Sequence, residues 1–356
     1  MKWSSEGKME ISAEIKGVGY TPFLCRELKE FPLKNLKKAF NSETAFIVEL
    51  DKNNKFAVSW WVSAKRTRSY PYARVYDTLA FAGKKVTVIP VYKDEGLDGD
   101  RDYIQWDTIS LMSLLGIYVI IAFYKAAKQS NRYKNKITGQ EFDIGYIKSQ
   151  LILLSNYQSD ALHWNLSQID SIGNIAQKAL NAYNKISKDL GVKMHSHEAA
   201  RRRIQELNKS KNDFMNFSRS LANQAQTRES LTTQPKENVS GEKGIVTIKN
   251  YLGGIYFFTA DEIELEYKIV NLIEAKHSKT FLMPSVDDIK DGLLKMILFT
   301  NISRATLEKQ VYKTQAVLKL TAKDPFDENK LDDKRKALFK RLVKESERNN
   351  FILRMK

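Results

Sequence analysis

The sequence has little of what disulfides, cysteine-based metal sites and membrane spans require. Its 356 residues include one cysteine, Cys25, which excludes an intrachain disulfide and a zinc site built on cysteines. The most apolar run, residues 111–123, contains Ser113 and Gly116 and is shorter than the roughly 20 residues that span a bilayer. The first residues lack the apolar core of a signal peptide. We therefore expect a cytoplasmic protein that does not enter a membrane.

Acidic residues are scarce relative to basic ones. The chain has 42 Asp plus Glu against 58 Lys plus Arg, which gives a formal net charge of +16. This surplus favours a polyanionic partner, because each cation set against a phosphate releases counterions. The net charge alone does not exclude the alternative of a basic protein that binds no polyanion. A Walker-type phosphate loop is also missing, so ATP-driven DNA cleavage has no support.

Two carboxylates and a lysine stand at the ends of two apolar segments in the last third of the chain. Residues 257–261 end in Asp261, and residues 272–276 end in Glu274, Ala275 and Lys276. Residues i and i+2 of a strand face the same side, so Glu274 and Lys276 should project together. The short gap between Asp261 and Glu274 suits a hairpin. Such a trio can hold a divalent metal that polarises a phosphate and acidifies a water, whereas the plain alternative is a solvated ion pair at a strand end.

An amphipathic helix is predicted directly after this pattern. Ser285 with Asp288 three residues later is a capping pair that starts a helix. The apolar residues then recur at helical spacing, at Val286, Ile289, Leu293, Met296 and Ile297. The predicted order is therefore strand, acid, strand with Glu-x-Lys, short loop and helix.

This order resembles the PD-(D/E)XK nuclease superfamily, and in particular its restriction-endonuclease members. The likeness covers about residues 244–300, with Ala260-Asp261 in place of the family's Pro-Asp. It implies an α/β fold with a restriction-endonuclease-like core, which is a mixed sheet flanked by helices. The rest of the chain would be a large N-terminal α/β and helical elaboration of that core.

The resemblance also implies roles for individual residues. Asp261 and Glu274 would bind Mg²⁺, the Ala275 carbonyl would add a third oxygen, and Lys276 would position the attacking water. The family often adds an acid from the helix before the first strand, and Glu229 is the nearest candidate.

The implied activity is that of a Type II restriction endonuclease, which hydrolyses phosphodiester bonds of double-stranded DNA at a specific sequence. Residues 1–240 exceed what the nuclease core needs, and sequence recognition is the obvious use for them. Cutting both strands needs two active sites, so we expect a homodimer. A cognate DNA methyltransferase encoded nearby would fit this activity. Two alternatives stay open: a structure-specific repair or junction nuclease of the same fold, and a DNA-binding protein without catalysis.

Several cations are candidates for DNA contact. Residues 65–74 interleave aromatic rings with four of them, namely Lys65, Arg66, Arg68 and Arg74. Guanidinium forks suit phosphate oxygens and guanine edges, so this segment is predicted to contact DNA, with a solvated turn as the alternative. Arg203, in a helical stretch, is a candidate backbone contact, and His277 is a candidate phosphate donor. A solvated helix face and a plain structural role are the respective alternatives.

The pattern of apolar residues divides the chain into four predicted segments. They are an N-terminal α/β region over 1–145, which includes the candidate DNA-recognition part, a helical region over 146–230, the nuclease core over 231–325, and a charged C-terminal helix over 326–356.

Overall fold

The computed structural model describes residues 9–52, 54–65, 70–196, 198–202, 242–250, 255–279 and 281–356. The chain is of mixed α/β class, as predicted. The strands are β1 (Met9–Ile15), β2 (Glu30–Pro32), β3 (Ala45–Glu49), β4 (Lys55–Trp60), β5 (Lys84–Pro90), β6 (Tyr92–Asp94), β7 (Arg101–Tyr103), β8 (Ile117–Ala122), β9 (Tyr124–Gln129), β10 (Ile137–Phe142), β11 (Glu242–Asn250), β12 (Ile255–Glu266), β13 (Ile269–Ser278), β14 (Ile302–Leu307), β15 (Gln310–Ala322) and β16 (Ile352–Met355).

Helices lie between several of these strands along the chain. They are α1 (Leu36–Ser42), α2 (Pro71–Tyr76), α3 (Trp106–Leu114), α4 (Ile144–Ser155), α5 (Ala161–Asp170), α6 (Ile172–Leu190), α7 (Val286–Thr300) and α8 (Asp333–Arg348). Asp143, Asp160, Ser285 and Asp332 each accept a backbone N–H of the first turn of a helix. None of the described helices combines the length and the apolar character needed to cross a membrane.

The chain forms two compact units, one of which is Glu27–Arg219. This unit is built on a five-stranded mixed sheet with the strand order β2-β3-β4-β5-β8. β3 and β4 form an antiparallel hairpin, and β4, β5 and β8 run parallel. α5 is fastened to β8 by two side-chain amides, since Asn165 accepts the N–H of Val119 at 2.6 Å and Gln168 accepts that of Ile121 at 3.3 Å.

The other unit combines Met1–Arg26 with Ser220–Lys356. Its sheet closes on itself in the order β1-β11-β12-β13-β15-β14, because β13 pairs with β15 as well as with β12. β1 joins by pairing in parallel with β11 and antiparallel with β14. This closure is not predicted from the sequence, and a closed six-stranded sheet is not specific to restriction endonucleases.

Helix α7 connects β13 to the later strands and packs against β13 and β15, which run parallel to each other. The middle of β13 is buried on both of its faces, which explains why the adjacent residues Leu272 and Ile273 are both apolar. One face of this strand lies under α7. Side chains of alternate residues on β13 therefore point towards the helix, and this face holds the candidate site.

The two units differ from the four segments predicted from the sequence. Predicted segments 1–145 and 146–230 contribute to one unit, because α5 and α6 pack on β8 and β9. The predicted C-terminal helix over 326–356 is wrong in its extent: α8 ends at Arg348, and β16 follows. Asn350 adopts a left-handed backbone (φ 56°), which asparagine tolerates and which stops the helix.

Candidate active site

The β12–β13 hairpin brings the two predicted acids together. Glu262 pairs with Ile273 across this hairpin, so one step further along the strands Asp261 lies opposite Glu274. The N–H of Ala275 donates to Asp261 Oδ2 at 2.7 Å, which fixes the first carboxylate against the second strand. The sequence suggested that Asp261 stands at the end of its strand. It lies instead within β12, because this strand continues to Glu266.

Lys276 projects on the same face as Glu274, as the two-residue spacing predicts. Its Nζ lies 3.0 Å from Glu274 Oε1. Glu274 is 2 % exposed and the Lys276 side chain 17 %, so the pair is largely shielded from solvent. The predicted trio of Asp261, Glu274 and Lys276 therefore lies together at the α7 face of two neighbouring strands.

Helix α7 contributes two further charged residues, which the sequence reasoning missed. Asp291 Oδ2 lies 3.1 Å from Lys276 Nζ, and Lys295 Nζ lies 2.6 Å from Glu274 Oε2. Lys295 also donates to the carbonyl of Thr259 on β12 at 3.2 Å. Asp291 and Lys295 are four residues apart and so share one face of the helix. That spacing, within a helix predicted to cover the Glu-x-Lys strand, is the signal that could have identified them.

A glycine allows α7 to approach the sheet closely beside this cluster. A Cβ atom at Gly292 would lie 2.9 Å from Leu318 Cδ1 and 3.4 Å from Lys276 Cε. A larger residue would therefore have to displace the side chains of Leu318 and Lys276 or the helix itself. The helix begins as predicted, with Ser285 accepting the N–H of Asp288 at 3.2 Å.

The cluster is an alternating series of charges: Asp291, Lys276, Glu274 and Lys295, with Asp261 beside it. Burial by itself raises the pKa of Glu274, but Lys295 and Lys276 outweigh burial and hold that pKa below its ordinary value. Burial likewise lowers the pKa of Lys276, and the carboxylates of Glu274, Asp291 and Asp261 more than reverse this, so its pKa is raised. Lys276 is therefore an ammonium at neutral pH.

The resemblance implies a magnesium ion, so the question is whether the side chains at this site could bind one. In the part of the chain that the structure describes, no group of three or more His, Cys, Asp or Glu side chains is placed to hold a metal. Asp261 and Glu274 supply two hard oxygen ligands on one face. Mg²⁺ commonly binds through one or two carboxylates and keeps waters or substrate phosphates as its other ligands. The donor set fits such an ion, which would bind at an oxygen of Glu274 that an ammonium now contacts.

The opposite face of the same strands carries a different ion pair. Glu262, the neighbour of Asp261, contacts Lys319 of β15, and the two side chains are 1 % and 5 % exposed. Glu262 Oε2 is buried and has no hydrogen-bond partner among the described residues. This pair is sealed inside the fold and lies away from the candidate site.

Three of the residues predicted to contact DNA lie in the described part of the chain, and each contacts another residue of the protein. Lys65 Nζ lies 2.6 Å from Oδ1 of buried Asp102. Arg74 lies 4.4 Å from the centre of the Trp60 ring and donates to the Trp60 carbonyl at 2.9 Å. His277 Nδ1 lies 2.9 Å from Thr321 Oγ1.

The remaining candidates, Glu229, Arg66, Arg68 and Arg203, lie outside the described residues. The prediction that Glu229 completes the acid set and that the three arginines contact DNA therefore remains as the sequence left it.

Comparison with known proteins identifies no relative of this chain. No protein-family description matches the chain, and neither a curated protein nor a solved structure is significantly similar to it.

Proposed function

We propose that this protein is a magnesium-dependent endonuclease with a restriction-endonuclease-like core, which cleaves double-stranded DNA at a specific sequence. One observation carries the proposal: Asp261, Glu274 and Lys276 lie on one face of two adjacent strands, with a helix packed across them. This is the order of elements and residues on which the resemblance to PD-(D/E)XK nucleases rests. The net charge of +16 supports a polyanionic substrate.

Each residue has a role that follows from its surroundings. Asp261 and Glu274 would hold Mg²⁺, and the Ala275 carbonyl is the further oxygen that the resemblance implies. The ion would polarise a phosphate and lower the pKa of a bound water. Lys276 is cationic, because three carboxylates raise its pKa, so it would orient the water and offset negative charge that develops on the phosphate.

The N–H of Ala275 holds Asp261 at 2.7 Å, which reduces the movement needed when the site binds its substrate. Lys295 holds the second oxygen of Glu274 at 2.6 Å and so fixes the orientation of that carboxylate. Both contacts would support the reaction without touching DNA. A DNA-binding protein that had lost catalysis would be expected to lack one of the acids or the lysine, and here all three are present on one face.

The proposal is tested by incubating the purified protein with unmethylated phage DNA and Mg²⁺, followed by sequencing of the ends. Discrete fragments with one sequence at every end are the expected result. Fragments with scattered ends, or cutting confined to branched DNA, would indicate a repair or junction nuclease of the same fold. Intact DNA at every Mg²⁺ concentration, or cleavage that persists in EDTA, would overturn the proposal.

A homodimer and a cognate methyltransferase are further parts of this proposal. Cutting both strands requires two sites, so the molecular mass in solution should be twice that of the 41.0 kDa chain. Host DNA methylated at the same sequence should resist cleavage.

A further inference from the structure

Helix α7 places a carboxylate where it can receive the lysine of the candidate site. Lys276 Nζ lies almost midway between two carboxylates, 3.0 Å from Glu274 Oε1 and 3.1 Å from Asp291 Oδ2. Glu274 in turn contacts two ammonium groups, one on each oxygen. A divalent cation that binds Glu274 would therefore meet an ammonium, which repels it, at either oxygen.

The two lysines differ in how readily they could leave Glu274. Lys295 has the shorter contact, 2.6 Å against 3.0 Å for Lys276. Lys276 has Asp291 beside it, so it can leave Glu274 and still lie against a carboxylate. This matters because a buried ammonium that loses its counter-ion is costly. The geometry therefore favours exchange at Oε1, the oxygen held by Lys276.

Asp291 contacts the lysine of the candidate site and does not complete a three-acid group with Asp261 and Glu274. Within the described part of the chain, no three acidic or histidine side chains form a metal-binding group, although Asp261, Glu274 and Asp291 all lie around Lys276. Its contact is with the lysine, and Gly292 next to it lets the helix approach the Lys276 stem.

We propose that Asp291 is a positioning residue, which holds Lys276 when a divalent cation takes the place of that lysine at Glu274. This inference rests on the proposed function, because it assumes that Glu274 is a metal ligand. It adds a step of ion exchange at Glu274 Oε1 and a residue that the Glu-x-Lys pattern does not contain. It also explains why a charged residue on α7 is turned towards the sheet.

The test is Mn²⁺ binding by the full-length protein without DNA, measured from the electron paramagnetic resonance signal of the free ion. In Asp291→Asn, Lys276 loses the carboxylate it contacts besides Glu274 and so competes with the metal, and we expect binding about tenfold weaker, in line with the loss of one charge-assisted hydrogen bond. Asp287→Asn is the matched control, since it removes the same charge from an exposed position one turn earlier on α7. It should change binding by less than about twofold.

Repeating the measurement in a Lys276→Met variant separates the effect of the Asp291–Lys276 contact from a general effect of charge. In Lys276→Met the competing ammonium is gone, so adding Asp291→Asn should change Mn²⁺ binding by less than about twofold, as for a distant exposed charge. Thermal unfolding in EDTA checks that each variant is folded, and Asp291→Ser replaces the amide variant if that one is not.

Two results overturn the inference while leaving the nuclease proposal intact: wild-type affinity in Asp291→Asn, or equal losses in Asp291→Asn and Asp287→Asn. An undiminished effect of Asp291→Asn in the Lys276→Met background would also overturn it. Failure of the wild-type protein to bind Mn²⁺ would overturn both the inference and the proposed function.

Discussion

Asp261 and Glu262 are neighbours on β12, yet they serve opposite faces of the sheet. Glu262 meets one cation, Lys319, and both side chains are almost completely shielded from water. Asp261 is half-buried and lies beside Glu274 and Lys276 under helix α7. On one face Glu262 and Lys319 form a buried ion pair, with Glu264 and Arg354 forming a more exposed one beside it, whereas the other face carries a cluster of three acids and two lysines.

The difference shows that burial of charge does not by itself mark a functional site. A closed pair of one acid and one lysine has no spare charge for a ligand, and such pairs contribute little net stability because desolvation offsets their attraction. On the α7 face the carboxylates outnumber the ammonium groups, and Asp291 and Lys276 keep 23 % and 17 % of their side-chain surface exposed. A site that binds a cation needs excess negative charge that is accessible to solvent, and the α7 face provides it.

The largest effect is expected at Glu274. Glu274→Gln keeps the shape of the side chain but removes a carboxylate ligand, so single-turnover cleavage at saturating Mg²⁺ should fall by orders of magnitude. Fluorescence anisotropy should show DNA affinity equal to or above that of the wild type, because a negative charge facing phosphate is lost. Cleavage at the wild-type rate would remove Glu274 from the site.

The second largest effect on cleavage is expected at Lys276. In Lys276→Ala the charge that offsets the developing phosphate charge is lost, and the rate should again fall by orders of magnitude. Lys276→Arg should also fail, since a planar guanidinium cannot replace a compact ammonium between two carboxylates about 3 Å away on either side. If arginine restores the rate, Lys276 is merely an ion-pair partner of Glu274.

On the opposite face the effect should be on stability and not on cleavage. Glu262→Gln leaves the Lys319 ammonium buried beside a neutral amide, so the free energy of unfolding in urea should drop by about 3–5 kcal/mol. The double variant Glu262→Met with Lys319→Met should recover most of this loss, since apolar side chains of similar volume replace buried ion pairs well. A loss below about 1 kcal/mol in the single variant would mean that water reaches the pair.

A smaller effect concerns the acid stability of the apoprotein. The pKa of Glu274 is lower in the folded state than in the unfolded state, so its contribution to stability is present above the unfolded pKa, about 4.3, and is lost as pH falls through the folded pKa. In EDTA, the unfolding free energy of the wild type should therefore fall more steeply below about pH 4.3 than that of Glu274→Gln. Parallel curves for the two proteins would contradict the lowered pKa.

Local spacing in the sequence accounts for much of the candidate site. The two-residue separation of Glu274 and Lys276 and the short span to Asp261 are enough to bring them together in a hairpin. The cap at Ser285 and the apolar stripe of α7 are local as well. These features depend on a few consecutive residues, so periodicity and capping rules reach them.

Pairings between distant segments could not be predicted in this way. β1 pairs with β11 more than two hundred residues later in the chain, and β13 pairs with β15 to close the sheet. Nothing in Met9–Ile15 alone specifies its partner, because any alternating strand presents the same backbone groups. For the same reason the sequence does not distinguish Lys295 and Asp291 from ordinary polar positions of a helix, because their role depends on the packing of α7 against β13.

The measurement that tests the central claim most directly compares the two faces of β12 in one plasmid-cleavage assay with Mg²⁺. Asp261→Asn keeps an acceptor for the Ala275 N–H and so should fold, but it should not cut. The double variant Glu262→Met with Lys319→Met should cut at the wild-type rate. Cleavage by Asp261→Asn at the wild-type rate, or loss of cleavage in a folded double variant alone, would show that the reaction does not take place at the α7 face.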